Sequence, residues 1–99
     1  MAQIVITPQM LREAANKFNA GAQQIQEVLR GLQGAVAQVE GDWRGQSRQS
    51  FDAAWSQIYQ SMSKAPPQCR EVQQMLVAIA AAFEQAEAQA QAATRRSIA

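Results

Sequence analysis

The 99-residue chain predicts an all-α fold, a single helix-turn-helix hairpin with long heptad-patterned arms, and three features carry that prediction. Apolar residues recur in alternating steps of four and three over most of its length, the spacing of a helical seam with a mean period near ~3.5. One turn-forming stretch, Glu40-Gly41-Asp42-Trp43-Arg44-Gly45-Gln46-Ser47, divides the pattern near its middle. Hydrophobic residues make up 47 % of the chain, but many are alanines and only 6 % of residues are aromatic, so the core must be long and thin.

The elements follow in order. Residues 1–7 form an arm whose apolar, β-branched run Ile4-Val5-Ile6 favours extended backbone. Thr7-Pro8 then starts helix 1: threonine suits the N-cap, and proline costs nothing at the first helical position, where its missing donor is unused anyway. Helix 1 is expected over about 8–40. Its seam runs Leu11, Ala15, Phe18, Ala22, Ile25, Leu29, Leu32, Val36, Val39, beside a column of mostly small residues, Ala14, Gly21, Val28 and Ala35. That column would let another helix approach closely. Gly21, Gly31 and Gly34 each cost roughly 1 kcal/mol of helix propensity, which burial of the seam must offset.

At the turn, 41–46, two glycines supply backbone freedom and Asp42 and Ser47 can each cap a helix. Trp43 is placed to plug the end of the hairpin. Helix 2, about 47–94, resumes the rhythm with Phe51, Trp55, Ile58, Met62, Ala65, Cys69, Val72, Leu76, Ile79, Phe83, Ala86, Ala90 and Ala93. Pro66 and Pro67 interrupt it, since each removes an intrahelical hydrogen bond. The apolar register nevertheless continues unbroken across them, with Pro66 at the margin of the seam and Pro67 outside it. That continuity favours a kinked helix with a solvent-facing break near 65–67 over two unrelated helices; a full break is the alternative. Helix 1 spans about 50 Å and helix 2 about 70 Å, which leaves the turns from about Phe83 onward without an intramolecular neighbour and residues 95–99 as a frayed tail.

A two-helix hairpin buries one stripe per helix. Ordering costs on the order of 1.5 kcal/mol per residue against ~25 cal/mol per Å² of apolar burial, so a thin hairpin gains little net stability alone. Pairing into an antiparallel four-helix bundle would cover the remaining surface. The dimer or core seam is assigned to Leu11, Phe18, Ile25, Leu29, Leu32, Phe51, Trp55, Ile58, Met62, Val72, Leu76 and Ile79.

Chemistry is largely excluded. Histidine is absent, and Cys69 is the sole cysteine, so neither a Ser-His-Asp site nor a thiolate metal site can be assembled. Glu40, Asp42 and Asp52 gather near the turn, but carboxylates without a cleft are not a catalytic site. No enzyme activity, metal, cofactor or small-molecule ligand is expected. A net charge of +1, with its charges scattered, argues against nucleic acid as a partner. No signal-peptide pattern and no ~20-residue apolar span are present. Cys69, Met62, Met75 and Trp55 read as seam residues rather than as a reactive or ligand-binding set.

Trp43-Arg44-Gly45, midway between two heptad seams and followed by Phe51 and Trp55, resembles the centre of the WXG family of early secreted antigen-like proteins, and the likeness extends from Thr7 to about Ala90. The resemblance implies export by a bacterial type VII (ESX) system, without a cleaved signal peptide, after a cytoplasmic stage. It implies a membrane FtsK/SpoIIIE-type ATPase as partner, and antiparallel four-helix dimers with a second copy or with a sister protein. It further implies a two-part export signal: the Trp-x-Gly turn, here Trp43 and Gly45, and a Tyr-x-x-x-Asp/Glu motif on the C-terminal helix of the dimer mate. The best match to the second part is Phe83-Glu84-Gln85-Ala86-Glu87, with phenylalanine in place of tyrosine. Helical spacing puts Phe83 and Glu87 on adjacent turns of one face. Helix faces built largely from glutamine oppose self-association little, which favours a homodimer over a heterodimer. The competing function for such a hairpin is an intracellular scaffold or adaptor.

Overall fold

Thr7 begins the helical architecture as the sequence chemistry requires. Its backbone is extended (φ −104°, ψ 154°), and its Oγ1 accepts a hydrogen bond from the Met10 amide at 3.1 Å, satisfying one of the amides that a helix start leaves unpaired. In the computed structural model, which describes residues 5–98, the chain is an extended helical hairpin measuring 82 × 28 × 15 Å. The arm's first four residues lie outside the described part. α1 runs Pro8–Glu40, α2 Gln46–Ser63 and α3 Ala65–Ile98.

The returning arm is divided at Lys64, which keeps right-handed helical angles (φ −77°, ψ −21°). The Lys64 amide bonds to the Ser61 carbonyl at 3.4 Å and the Gln68 amide to the Lys64 carbonyl at 3.3 Å, so the backbone steps out of the α-helical ladder and straight back into it. Pro66 and Pro67 explain the step: neither offers an amide to the carbonyls of Met62 and Ser63. Lys64 and Pro67 are exposed, as expected of a solvent-facing break, but Pro66 is corrected from the margin of the seam to its interior: it is buried, and both prolines line a cleft toward α1 with Leu29 and Gln33.

Where the sequence leads to the expectation of a frayed tail, α3 is helical through Ile98. Thr94 and Ser97 return their hydroxyls to the carbonyls of Ala90 (2.9 Å) and Ala93 (3.1 Å), which satisfies them within the helix. Arg95 and Arg96 stand in its last turn, where positive charge suits the helix dipole.

The interior is made of small residues at heptad spacing. Ala15, Ala22 and Leu29 on α1 and Ala80 on α3 are its buried apolar members. Half-buried Gln73 and buried Pro66 stand one and two heptads before Ala80. Of the two columns in the α1 seam, the one through Ala15, Ala22, Leu29 and Val36 faces the returning arm. The other is only partly covered: Leu11 and Ile25 are half-buried, while Phe18, Leu32 and Val39 are exposed. On α3 the inward face is rotated by one residue, about 100°, from the expected seam. Cys69, Val72 and Leu76 are half-buried at its flank, and Ile79 and Phe83 are exposed.

Paired side chains fix the alignment of the arms. Arg12 meets Glu84 and Arg70 meets Gln26, a separation of fourteen residues on each arm, as an antiparallel helix pair demands. From Gln26–Arg70 to Glu40–Arg48 the spacing is fourteen residues on α1 against twenty-two on the returning arm, so α2 does not keep step with α1. α2 contains no buried residue: Phe51, Trp55, Tyr59 and Met62 are half-buried and Ile58 is exposed. Trp55 and Tyr59 pack on each other, ring centroids 5.9 Å apart.

Candidate functional site

Gly45 sets the geometry of the turn. Its φ of 105° with ψ −171° lies in a region essentially closed to residues with a Cβ, and it is the single positive-φ residue among those described. A Cβ there would meet no atom within 4 Å, so the constraint is conformational rather than steric. From Gly45 the chain enters α2 with the Gln49 amide bonded to the Gly45 carbonyl at 3.3 Å.

Trp43 lies along the first two turns of that helix. Its indole N–H donates to Ser47 Oγ at 3.0 Å, and its ring sits 5.3 Å from Phe51 at a tilt of 42°, a favourable offset for two aromatic rings. The indole is half-buried, so it covers α2 and leaves the hairpin end partly open. Its backbone is tied as well. The Trp43 amide donates to the Glu40 carbonyl at 3.3 Å, and the Trp43 carbonyl accepts from Arg48 at 3.1 Å and from Arg44 at 3.3 Å.

Arg48 therefore holds three groups. Besides the Trp43 carbonyl it reaches Glu40 Oε2 at 3.5 Å and Asp52 Oδ2 at 3.7 Å. The Glu40 side chain is 17 % exposed, and its Oε1 is buried without a hydrogen-bond partner. Its carboxyl is pushed above the ordinary value of 4.5, first by the close approach of the Asp52 carboxyl, then by burial and by repulsion from the Asp52 charge; Arg48 opposes the shift. Of the three acids that the sequence groups here, the fold brings Glu40 and Asp52 together and leaves Asp42 exposed. Two carboxyls and one guanidinium bracing a turn offer no cleft for a reacting substrate. Among the described residues no group of histidine, cysteine or acidic side chains could hold a metal ion.

The second patch lies on α3. Phe83 is 43 % exposed, and Glu87 is exposed one turn further on. This region was expected to lack an intramolecular neighbour, and the structure corrects that. Arg12 at the start of α1 pairs with Glu84, and Val5 to Pro8 line a shallow groove with Phe83, Ala86, Glu87 and Ala90. Extended backbone covers ~3.3 Å per residue against 1.5 Å in a helix, so a short arm reaches over two helical turns. Gly45 and Phe83 are thirty-eight residues apart along nearly continuous helix, roughly 55 Å. A single chain keeps its turn and its α3 patch at opposite ends.

The comparisons with known proteins bear on this arrangement. The family model for WXG100, proteins of 100 residues with WXG, matches residues 3–88. The chain belongs to the WXG100 family. This places it among type VII secretion proteins, in a family that is non-enzymatic and typically dimerises. The chain is 34 % identical to an ESAT-6-like protein of Streptococcus agalactiae, covering 89 % of this chain and 92 % of that one. It is 26 % identical to the type VII secretion system extracellular protein A of Staphylococcus aureus, over 90 % and 92 % of the two chains. Among solved structures, EsxA of Geobacillus thermodenitrificans superposes with a TM-score of 0.80 at 26 % identity, over 90 % of this chain and 97 % of that one. The secreted protein EsxB of Bacillus anthracis superposes with a TM-score of 0.77 at 30 % identity, over 88 % and 99 %. The extended hairpin is thus the fold of solved family members. No helix among the described residues of this WXG100 protein is long and apolar enough to cross a membrane.

Sequence reasoning named Trp43, Gly45, Phe83 and Glu87 but missed Arg48 and Arg12. Arg48 is legible afterwards as the cation four residues before Asp52, a spacing that puts both on one helix face. Nothing in the linear sequence signalled the Arg12–Glu84 pair, seventy-two residues apart.

Proposed function

We propose that this WXG100 protein is itself exported by a type VII system without a cleaved signal peptide and acts as a folded antiparallel dimer through protein–protein binding. The observation that carries the reading is the half-open seam. Phe18, Leu32 and Val39 stand at multiples of seven residues along α1, and Met75 and Ile79 follow one face of α3; all are exposed in the single chain. Ridges of this kind are covered when two hairpins form a four-helix bundle.

An antiparallel second copy also solves the separation of the two patches. It lays the Trp43–Gly45 turn of one protomer near the Phe83–Glu87 face of its partner, so that the secretion ATPase could engage both at one end of the dimer. A second copy, rather than a sister protein, is favoured by glutamine-rich faces that place few like charges in opposition. Trp43→Ala tests the export role. In a bacterium carrying the type VII apparatus, cellular protein should remain helical and dimeric while the exported fraction falls to background. Normal export of the variant contradicts the reading.

A further inference from the structure

The arm was not expected to be part of either patch. Its end is fixed, not trailing: Thr7 caps α1 through Met10, and the Leu11 amide bonds to the Thr7 carbonyl at 3.2 Å. One turn into α1, Arg12 donates to Glu84 Oε1 through Nε (3.2 Å) and through a terminal guanidinium nitrogen, gripping α3 immediately beside Phe83. Those two anchors direct the arm along the α3 face. Val5 and Ile6, 70 % and 49 % exposed, then form one wall of the groove whose other wall carries Phe83 and Ala86.

We propose that Val5 to Pro8 and the Phe83–Glu87 face form one composite docking surface, aligned by Arg12 and Glu84, for a partner protein that presents an apolar side chain next to a cation. The apolar requirement comes from the walls. The cation comes from charge complementarity: Arg12 is already engaged by Glu84, and Glu87 has no ion pair among the described residues while standing at the rim of the trough. Arg12 is a positioning residue, acting through Glu84 and the arm rather than by touching the partner. The inference rests on the proposal that the Phe83 face is recognised during export, and it adds that this face is incomplete without the arm.

The test uses full-length variants and three readouts: exported fraction, helix content by circular dichroism, and mass by light scattering. Ile6→Ser, Arg12→Glu and Glu87→Lys should each lower the exported fraction about tenfold, the scale on which central interface residues act, with helix content and mass unchanged. Arg12→Glu combined with Glu84→Arg should restore export, because the pair is re-formed with its charges exchanged. If Phe83→Ala lowers export while Ile6→Ser and Arg12→Glu do not, the arm is no part of the surface and the inference is overturned alone. If Phe83→Ala exports normally, the parent reading of the α3 patch fails and takes the inference with it. Normal export of Glu87→Lys refutes the cation. A fall to monomer mass in Arg12→Glu makes the arm a contact between copies and likewise overturns the proposal.

Discussion

The two ends of the hairpin are held by different physics. Between α1 and the first half of α3, small residues at heptad spacing bring the helices into close contact, with Ala22 and Ala80 wholly removed from solvent. At the turn end α2 buries no residue and does not keep step with α1. There the structure depends on polar and aromatic fastening: indole to Ser47, indole to Phe51, and Arg48 shared among the Trp43 carbonyl, Glu40 and Asp52. Apolar burial is cooperative and not weakened by charge screening, whereas exposed polar fastenings contribute little each and respond to pH and ionic strength. The difference teaches that the end bearing the Trp-x-Gly motif can be perturbed without unfolding the other end, which makes separation of export from stability an experimental possibility.

The largest expected effect belongs to the tight end. Leu29→Ala removes the largest buried side chain of that interface and should cost about 2–3 kcal/mol in urea unfolding, because the cavity left behind collapses only partly. A matched truncation at the turn end, Ile58→Ala, should cost less than about 1 kcal/mol, since Ile58 is half exposed already. Equal losses at the two sites would erase the contrast.

Next comes Gly45→Ala, expected to cost about 1–3 kcal/mol, because a Cβ forces the turn out of its positive-φ conformation. The loss should appear locally, as a change in Trp43 emission in a Trp55→Phe background, ahead of any loss of helix content. Simultaneous loss of both signals would mean that the turn and the α1–α3 interface melt as one unit.

How much of this was legible in the sequence follows from the same contrast. The N-cap at Thr7, the proline at the start of α1 and the need for a glycine at 45 are local chemistry, and local chemistry can be read from the linear sequence. Rotation of the inward face of α3 could not be read: Val77 to Ala82 is an unbroken apolar run, in which any phase of the heptad fits equally well. Neither could the inward placement of Pro66, which depends on that same rotation. Trp43, Gly45, Phe83 and Glu87 were visible as residue types, but the joining of Glu84 to Arg12, and of the arm to Phe83, depends on how far an extended segment reaches along a helix. That is a property of the folded alignment, set partly by α2 falling out of step.

A smaller effect is expected from pH. Because the native carboxyl of Glu40 is raised above 4.5, the folded turn binds the proton more tightly than the unfolded chain does. Its contribution is fully present below the unfolded value and is lost as pH rises through the raised native one, so ionised Glu40 works against the turn at neutral pH. Glu40→Gln should therefore strengthen the turn at pH 7, and its advantage should fade toward pH 4, read by Trp43 emission in the Trp55→Phe background. An advantage independent of pH would remove the Asp52 interaction as its cause. The smallest effect concerns Arg12→Gln, whose ion pair with Glu84 is about half exposed on both sides; global stability should change by less than about 1 kcal/mol.

Everything joining the structure to export passes through the exposed columns of Phe18, Leu32 and Ile79 being covered by a second hairpin. Sedimentation equilibrium of the purified chain across a hundredfold concentration range, about micromolar to tenths of millimolar as suits a stable dimer interface, addresses this directly. A mass twice the 10.8 kDa of one chain, converted to single-chain mass by Phe18→Glu/Ile79→Glu with helix content retained, is the expected result. A helical monomer of 10.8 kDa throughout that range would contradict it.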